Sequence, residues 1–253
     1  MIALITGATS GFGKSTAMLF AKNGYHLILT GRRKERLEKL SNEIMKNSGV
    51  KVMPLCFDVS DPNAVKQNLL SLDKTWSEID VLVNNAGLAA GFGPIQEGDT
   101  ADWEKMINTN IKGLLYVTRL VAPLMIQRNM GHIINIGSVA GKEVYPNGNV
   151  YCATKHAVDA LSKAMRLDML SHGIRVTAIH PGMAETEFSI VRYKGDEEKA
   201  KKVYEGLQPL KPEDIAEAIY WAATRPLHVN ISEIILTPTA QGNATTTIRK
   251  KPS

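Results

Sequence analysis

The sequence predicts an α/β protein with one doubly wound, Rossmann-type parallel sheet of about seven strands and helices on both faces. Short β-branched or apolar runs alternate with longer stretches of helical period, the pattern of repeated β-α-β units. The run Val81-Leu82-Val83 is apolar on both faces, as central parallel strands are. A glycine-rich turn sits between the first apolar run and the first helical stretch, where such a turn exposes backbone N–H groups.

In chain order, strands are expected near 2–6, 26–30, 51–57, 80–83, 131–137, 174–180 and 232–237. Between them the helical period predicts helices near 11–23, 33–47, 61–76, 101–128, 150–172 and 211–224. With no Pro/Ser-rich linker and no repeat of solenoid length, residues 1–253 read as a single domain. The polar segment 183–209 breaks the rhythm after Pro181-Gly182 and reads as a substrate lid. The tail 238–253 is rich in Thr and ends in basic residues; it reads either as disordered or as packed on a neighbouring subunit.

Composition narrows the function classes. With 253 residues, 44% apolar and 22% charged, the chain is neither disordered nor collagen-like. The most apolar stretch, 111–126, is interrupted by Lys112, Thr118, Arg119 and Pro123 and falls short of a bilayer span, so no membrane role is expected. Met1 leads straight into Ile2-Ala3-Leu4-Ile5, too short for a signal-peptide core, which predicts a cytoplasmic protein. Cys56 and Cys152 are then read as reduced packing residues. The net charge of +5 is spread out, and only Arg32-Arg33-Lys34 and Arg249-Lys250-Lys251 cluster, so no nucleic-acid partner is expected. No metal is expected either.

The turn Thr6-Gly7-Ala8-Thr9-Ser10-Gly11-Phe12-Gly13 has Gly-x-x-x-Gly-x-Gly spacing. Its glycines allow a tight turn and close backbone approach, and the helix start that follows attracts a pyrophosphate. Gly7, Thr9, Ser10, Gly11, Phe12 and Gly13 are therefore cofactor candidates. The second strand ends at Gly31 without an acid and continues Arg32-Arg33. Forked guanidiniums suit a ribose 2′-phosphate, where an acid would suit a 2′-hydroxyl, so NADP(H) is expected over NAD. Asp58-Val59 ends the third strand, where the Asp58 carboxylate could accept from an adenine amine or simply shape a turn.

Tyr151 and Lys155 stand four residues apart on a predicted helix and share one face. A phenol has a pKa near 10, and a lysine ammonium about 4 Å away at a dielectric near 20 supplies the roughly 4 kcal/mol needed to bring it to neutrality. This predicts a lowered Tyr151 pKa. Ser138 follows the fifth strand, at the carboxyl edge where open sheets bind ligands, or is a turn residue before Gly141. Asn84-Asn85-Ala86-Gly87 ends the fourth strand at the same edge. Asn110 falls inside an otherwise apolar helix, where a poor helix former needs a reason such as a kink or a bound water.

Taken together, Thr6-Gly-x-x-x-Gly-x-Gly13, Asp58, Asn84-Asn-Ala-Gly87, Asn110, Ser138, Tyr151-x-x-x-Lys155 and Pro181-Gly182 resemble the short-chain dehydrogenase/reductase family over about residues 2–237. The resemblance implies a nicotinamide cofactor, a catalytic tetrad of Asn110, Ser138, Tyr151 and Lys155, and commonly a homotetramer. It implies that Tyr151 exchanges the substrate proton, Ser138 steadies the oxyanion, Lys155 holds the nicotinamide ribose and Asn110 supports a water leading to Lys155. Asn85, Ala86 and Gly87 would line the adenosine side of the cofactor, with Pro181, Gly182, Met183 and Thr186 on the nicotinamide side.

The lid from Thr186 to Asp196, with Lys211-Pro-Glu-Asp214 and His228-Val-Asn230, is similar to NADP-dependent 3-hydroxy acid dehydrogenases acting on serine, L-allo-threonine and related small acids. The chain is about one residue short between Pro181 and Thr186, and its tail from Gln241 has no match in that group. Arg192, the only arginine of the lid, is the candidate for a substrate carboxylate; the alternative is a solvated arginine on a mobile loop. Competing substrates are a sepiapterin-like, sugar or acyl-carrier carbonyl. A non-catalytic NADP-binding sensor would be expected to lack Tyr151 or Lys155, and both are present.

Overall fold

The computed structural model describes residues 1–250. Seven strands, β1 (Ile2–Ile5), β2 (His26–Gly31), β3 (Val52–Cys56), β4 (Val81–Asn84), β5 (Gly131–Ile136), β6 (Ile174–Pro181) and β7 (Glu233–Leu236), form one parallel sheet in the order β3-β2-β1-β4-β5-β6-β7. Every residue of β1, β4 and β5 is buried; β1 and Val81–Val83 of β4 accordingly read as continuous apolar runs, while β5 buries His132 and Asn135 among its apolar residues. β3 lies at one edge of the sheet, where Pro54 leaves no ladder partner unsatisfied on the open side.

Helices α1 (Gly11–Lys22), α2 (Lys34–Ser48) and α9 (Pro212–Ala223) cover one face, and α3 (Pro62–Leu70), α5 (Leu114–Gln127) and α6 (Asn149–Asp168) the other. On the first face Phe20, Leu37, Leu40 and Ile219 pack on Leu27, Leu29 and Ile134; on the second, Val65, Val117, Val121 and Val158 pack on Leu4, Leu82 and Ile133. The strand order reverses direction between β1 and β4, which opens a crevice at their carboxyl ends. Among the described residues no helix is long and apolar enough to cross a membrane.

Several elements depart from expectation. The helix expected over 61–76 ends at Leu70. The one expected over 101–128 is three pieces: α4 (Thr100–Ile107), a π-helical turn (Asn108–Gly113) and α5. The widened turn holds Asn110, whose side chain leaves the helix to bond Leu88, the kind of local disruption that asparagine foretold. The helix expected over 150–172 ends at Asp168, with a 3-10 turn at Leu170–His172. The lid is partly helical, with α7 (Phe188–Arg192) and α8 (Glu197–Lys202) hung from a parallel bridge between Ala184 and Leu210. Over its described residues the tail folds back on its own chain: Gln241 pairs with Thr247, and the Lys250 N–H donates to the Gly206 carbonyl.

Candidate active site

The crevice is floored by the turn between β1 and α1. Gly7 has φ +66°, and a Cβ there would stand 2.9 Å from the Ala86 Cα. A Cβ on Gly13 would come within 2.5 Å of the Gly7 carbonyl and of Asn85 Nδ2. These two glycines let the phosphate turn press onto the end of β4, where Asn85 donates to the Thr6 and Gly7 carbonyls at 2.8 and 3.2 Å. Helix α1 begins at Gly11, which lines the crevice, so its N-terminal end fits a pyrophosphate.

Every predicted site residue except Gly13 and Asn110 lines this one cleft. Thr9, Ser10, Gly11, Phe12, Arg32, Arg33, Asp58 and Val59 lie along one half, and Ala86 and Gly87 also line it. Pro181, Gly182, Met183 and Thr186 close the other half, with Ser138, Tyr151, Lys155 and Arg192. Gly13 packs beneath the phosphate turn, and Asn110 is buried behind Gly87, with 2% exposure.

The two arginines differ. Arg33 donates from Nε and Nη2 to Thr9 Oγ1 at 3.2 and 3.0 Å, from Nη2 to Ser10 Oγ at 2.7 Å, and from Nη1 to Glu187 of the lid at 2.7 Å. Arg36 binds the other Glu187 oxygen at 2.7 Å. Most of Arg33 is therefore committed to joining the phosphate turn to the lid, and these guanidiniums hold the Glu187 carboxyl below the usual carboxylate range. Arg32 is more exposed and pairs only with Asp58, at 3.3 Å. Asp58 also accepts from the Ser60 N–H and hydroxyl at 2.9 and 2.8 Å, so its carboxylate acts as a turn cap and arginine partner, one of the two roles its position allowed.

Ser138 caps a short 3-10 turn, accepting from the Ala140 N–H at 3.1 Å and donating to the Pro181 carbonyl at 3.4 Å. Its own carbonyl accepts from His180 Nδ1 at 3.2 Å. His180 is fully buried, beside an ionic cluster in which Lys142 joins Asp159 and Glu233. The Tyr151 ring is 8% exposed, against Phe188 at 5.5 Å between centroids. Lys155 is 6% exposed and donates to the Ile136 carbonyl at 2.8 Å, with Nζ 5.9 Å from the Tyr151 ring centroid.

The expected lowering of the Tyr151 pKa is reversed in this structure. Burial pushes the phenol up; Tyr145 adds to that, while the Ser138 hydroxyl and the Arg192 charge pull it partly back. The physical reason is that desolvation in a closed aromatic pocket outweighs a single charge at this range, worth roughly 3 kcal/mol at about 6 Å and a dielectric near 20. The same burial pushes Lys155 down to about 8.

Asn110 is held by three side-chain hydrogen bonds. Its Oδ1 accepts from the Leu88 N–H at 2.8 Å, and its Nδ2 donates to the Leu88 carbonyl at 2.8 Å and to Thr154 Oγ1 at 3.0 Å. The side chain thus clamps the backbone just beyond Gly87, and its Oδ1 and Lys155 Nζ both lie close against Gly87.

Sequence reasoning missed the aromatic box around Arg192. Its guanidinium carbon lies 4.7, 5.4 and 5.6 Å from the ring centroids of Phe92, Tyr145 and Tyr151, and Nη1 donates to the Tyr145 hydroxyl at 2.9 Å. Nε and Nη2 are buried without a protein partner. A buried forked edge of this kind awaits an anion, because two charged donors without acceptors are costly. Glu187 and Gln241 were missed too, and neither has a local motif that would have marked it.

A model of short chain dehydrogenases matches residues 1–197. The chain belongs to the short chain dehydrogenase family. Within that family it is 51% identical over 245 residues, 96% of this chain and 97% of the relative, to the NADP-dependent 3-hydroxy acid dehydrogenase YdfG of Salmonella typhi. It is 46% identical to sulfoacetaldehyde reductase 2 of Chromohalobacter salexigens, over 95% of each chain. Among solved structures of short chain dehydrogenases it superposes on the closed form of serine dehydrogenase complexed with NADP+ with a TM-score of 0.92. That structure is 46% identical, with 99% of this chain and 100% of the other covered.

Proposed function

We propose that this chain is an NADP(H)-dependent oxidoreductase acting on a small 3-hydroxy or 3-oxo acid, such as serine, L-allo-threonine or a malonic-semialdehyde-type substrate. The observation that carries the substrate class is Arg192, whose Nε and Nη2 are buried and unpartnered beside Tyr151. A planar carboxylate accepts both donors at once, which a lysine ammonium could not arrange. The relatives' names, a 3-hydroxy acid dehydrogenase and a reductase of a sulfonated aldehyde, both describe substrates with an anionic end.

The turn from Gly7 to Gly13 would hold the pyrophosphate, Arg32 the 2′-phosphate, and Lys155 and Pro181–Met183 the nicotinamide half. When bound, the cofactor supplies or accepts a hydride at nicotinamide C4. Tyr151 gives a proton to the carbonyl oxygen in reduction and takes it from the hydroxyl in oxidation. Ser138 donates a hydrogen bond to the same oxygen as it gains charge. Arg192 fixes the acid end, so the carbon next to that oxygen is presented in one orientation, and Phe188 and Tyr145 exclude water around the phenol. Asn110 keeps the Gly87–Leu88 backbone in place under the site.

The working unit we propose is one catalytic domain over the whole chain, with 183–209 as a lid that carries Arg192. Leu115, Leu167 and Leu170 are exposed on the α5–α6 side, which supports a homotetramer, and a cytoplasmic setting matches the use of NADP(H). The test is a ratio of kcat/KM for 3-hydroxybutyrate against a neutral alcohol of similar size. Arg192→Ala should lower that ratio by about 30-fold or more, corresponding to about 2–4 kcal/mol of charge recognition. An unchanged ratio overturns the assignment of the acid end to Arg192.

A further inference from the structure

We propose that Gln241 is a positioning residue for the nicotinamide end of the cleft, delivered by a C-terminal hairpin that straps the lid and the substrate side of the site together. The inference rests on the hydride-transfer reading above, and its test is arranged so that the two can fail separately.

Gln241 lies in a polar, Thr-rich tail yet is only 5% exposed, and it lines the cleft. Its Oε1 accepts from the Met183 N–H at 2.8 Å, and its Nε2 donates to the Asn243 carbonyl at 3.1 Å. The space it occupies exists because residue 182 is glycine: a Cβ there would be 2.3 Å from Gln241 Oε1. The Gly182 N–H donates to the Leu236 carbonyl at 2.7 Å, and the Met183 carbonyl accepts from the Leu210 N–H at 2.9 Å. The Met183 N–H is then the one donor of this turn that needs a side chain, and a buried amide N–H left bare is seldom tolerated. Gln241 closes that gap and sets the peptide plane between Gly182 and Met183.

The hairpin is built to hold this amide still. Asn243 Oδ1 caps its turn, accepting from the Thr245 and Thr246 N–H groups at 2.9 and 2.7 Å, and the Ile248 N–H donates to the Ala240 carbonyl at 2.8 Å. The Ala244 N–H donates to Glu143, in the segment following Ser138, at 3.0 Å. At the other end Arg249 donates to the Val203 and Glu205 carbonyls, beyond the second lid helix. One hairpin thus fastens the Pro181–Met183 turn, the Ser138 segment and the far end of the lid.

The experiment compares the full-length parent with Gln241→Ala, Gln241→Glu and Arg249→Ala. Three readouts are taken: kcat/KM for 3-hydroxybutyrate-type acids, the primary isotope effect on reduction of the matching 3-oxo acid by NADPH deuterated at C4, and the dissociation constant of 2′,5′-ADP, which fills only the adenosine half. Gln241→Ala should lower kcat/KM by about 10–100-fold and raise the isotope effect, because hydride transfer becomes slower than release. Its 2′,5′-ADP affinity should stay within about twofold. Gln241→Glu keeps the acceptor for Met183 but sets a carboxylate oxygen against the Asn243 carbonyl in place of a donor, so it should recover only part of the loss, and more at low pH where the acid can donate. Arg249→Ala, on the surface, should fold normally and speed trypsin cleavage at Lys199–Lys202, so the strap remains testable if Gln241→Ala is unstable. An unchanged isotope effect and kcat/KM in Gln241→Ala, equal weakening of 2′,5′-ADP and NADPH, or unchanged cleavage in Arg249→Ala overturns the proposal. Tyr151→Phe runs in parallel: if it retains turnover, the hydride-transfer reading falls and takes this one with it. If it is inactive while Gln241→Ala behaves as the parent, only the role of Gln241 is lost.

Discussion

Lowering the pH from 6.5 to 4.5 should destabilise this protein through a single buried ring. His132 on β5 is 1% exposed. Its Nε2 lies 2.7 Å from Thr177 Oγ1, and that hydroxyl donates to the Ile231 carbonyl at 2.6 Å. The threonine can therefore only accept from His132, which puts the ring proton on Nε2 and leaves the buried Nδ1 bare, with no partner. Protonating Nδ1 would create a buried charge with no acceptor, and burial, with help from the Arg175 charge, pushes the ring from the ordinary 6.5 down to about 3. Below 6.5 the unfolded chain takes up a proton that the folded chain refuses. The stabilisation is thus complete above pH 6.5 and is lost progressively as pH falls toward 3. At about 1.4 kcal/mol per pH unit, the loss by pH 4.5 is about 2–3 kcal/mol. Urea unfolding of the parent and of His132→Gln at several pH values isolates it, because glutamine can still donate toward Thr177 and does not titrate. Contributions from carboxylates such as Asp159 cancel in the difference. The stability gap between the two proteins should shift by about 2–3 kcal/mol in favour of the variant. Curves that stay parallel within about 0.5 kcal/mol would refute the argument.

Two further outcomes concern the chemistry. Tyr151→Phe should cut kcat by several orders of magnitude while NADPH titration stays within about threefold of the parent, since the ring's packing against Phe188 survives. Arg32, the arginine less committed to protein partners, should carry most of the 2′-phosphate recognition. Arg32→Ala is expected to weaken NADP+ about tenfold, near 1.4 kcal/mol, without changing NAD+ affinity; equal use of both cofactors by the parent would contradict this.

The sheet was legible because β1, β4 and β5 are buried on both faces, a pattern that periodicity reports directly. Asn110, Ser138, Tyr151 and Lys155 were legible as residue types at the family's spacing, and their local frames are short-range. What could not be read depends on distant partners. Glu187 meets Arg33 across 154 positions, and Gln241 meets Met183 across 58, in a tail whose polar composition resembles solvated coil. The upward push on the Tyr151 phenol has a similar origin. The Lys155 charge is visible in sequence, but the burial that outweighs it comes from Phe188, Tyr145 and the lid closing around the ring.

The π-helical turn at Asn108–Gly113 has a geometric consequence for the whole helical layer. Such a turn accommodates one residue more than an α-helix of the same span, and each residue advances a helix by about 100°. The apolar stripe of α5 is therefore rotated by roughly that angle from where a continuous α4 would have carried it. This lets α4 lean on α6 while α5, on nearly the same axis, packs on α3 and the sheet. Deleting a single residue in the turn would restore a regular helix but swing Val117, Val121 and Met125 out of the core as it withdrew Asn110 from Leu88. The irregularity behaves like a phase shifter: one extra residue serves both the floor of the cleft and the packing of the helix that follows.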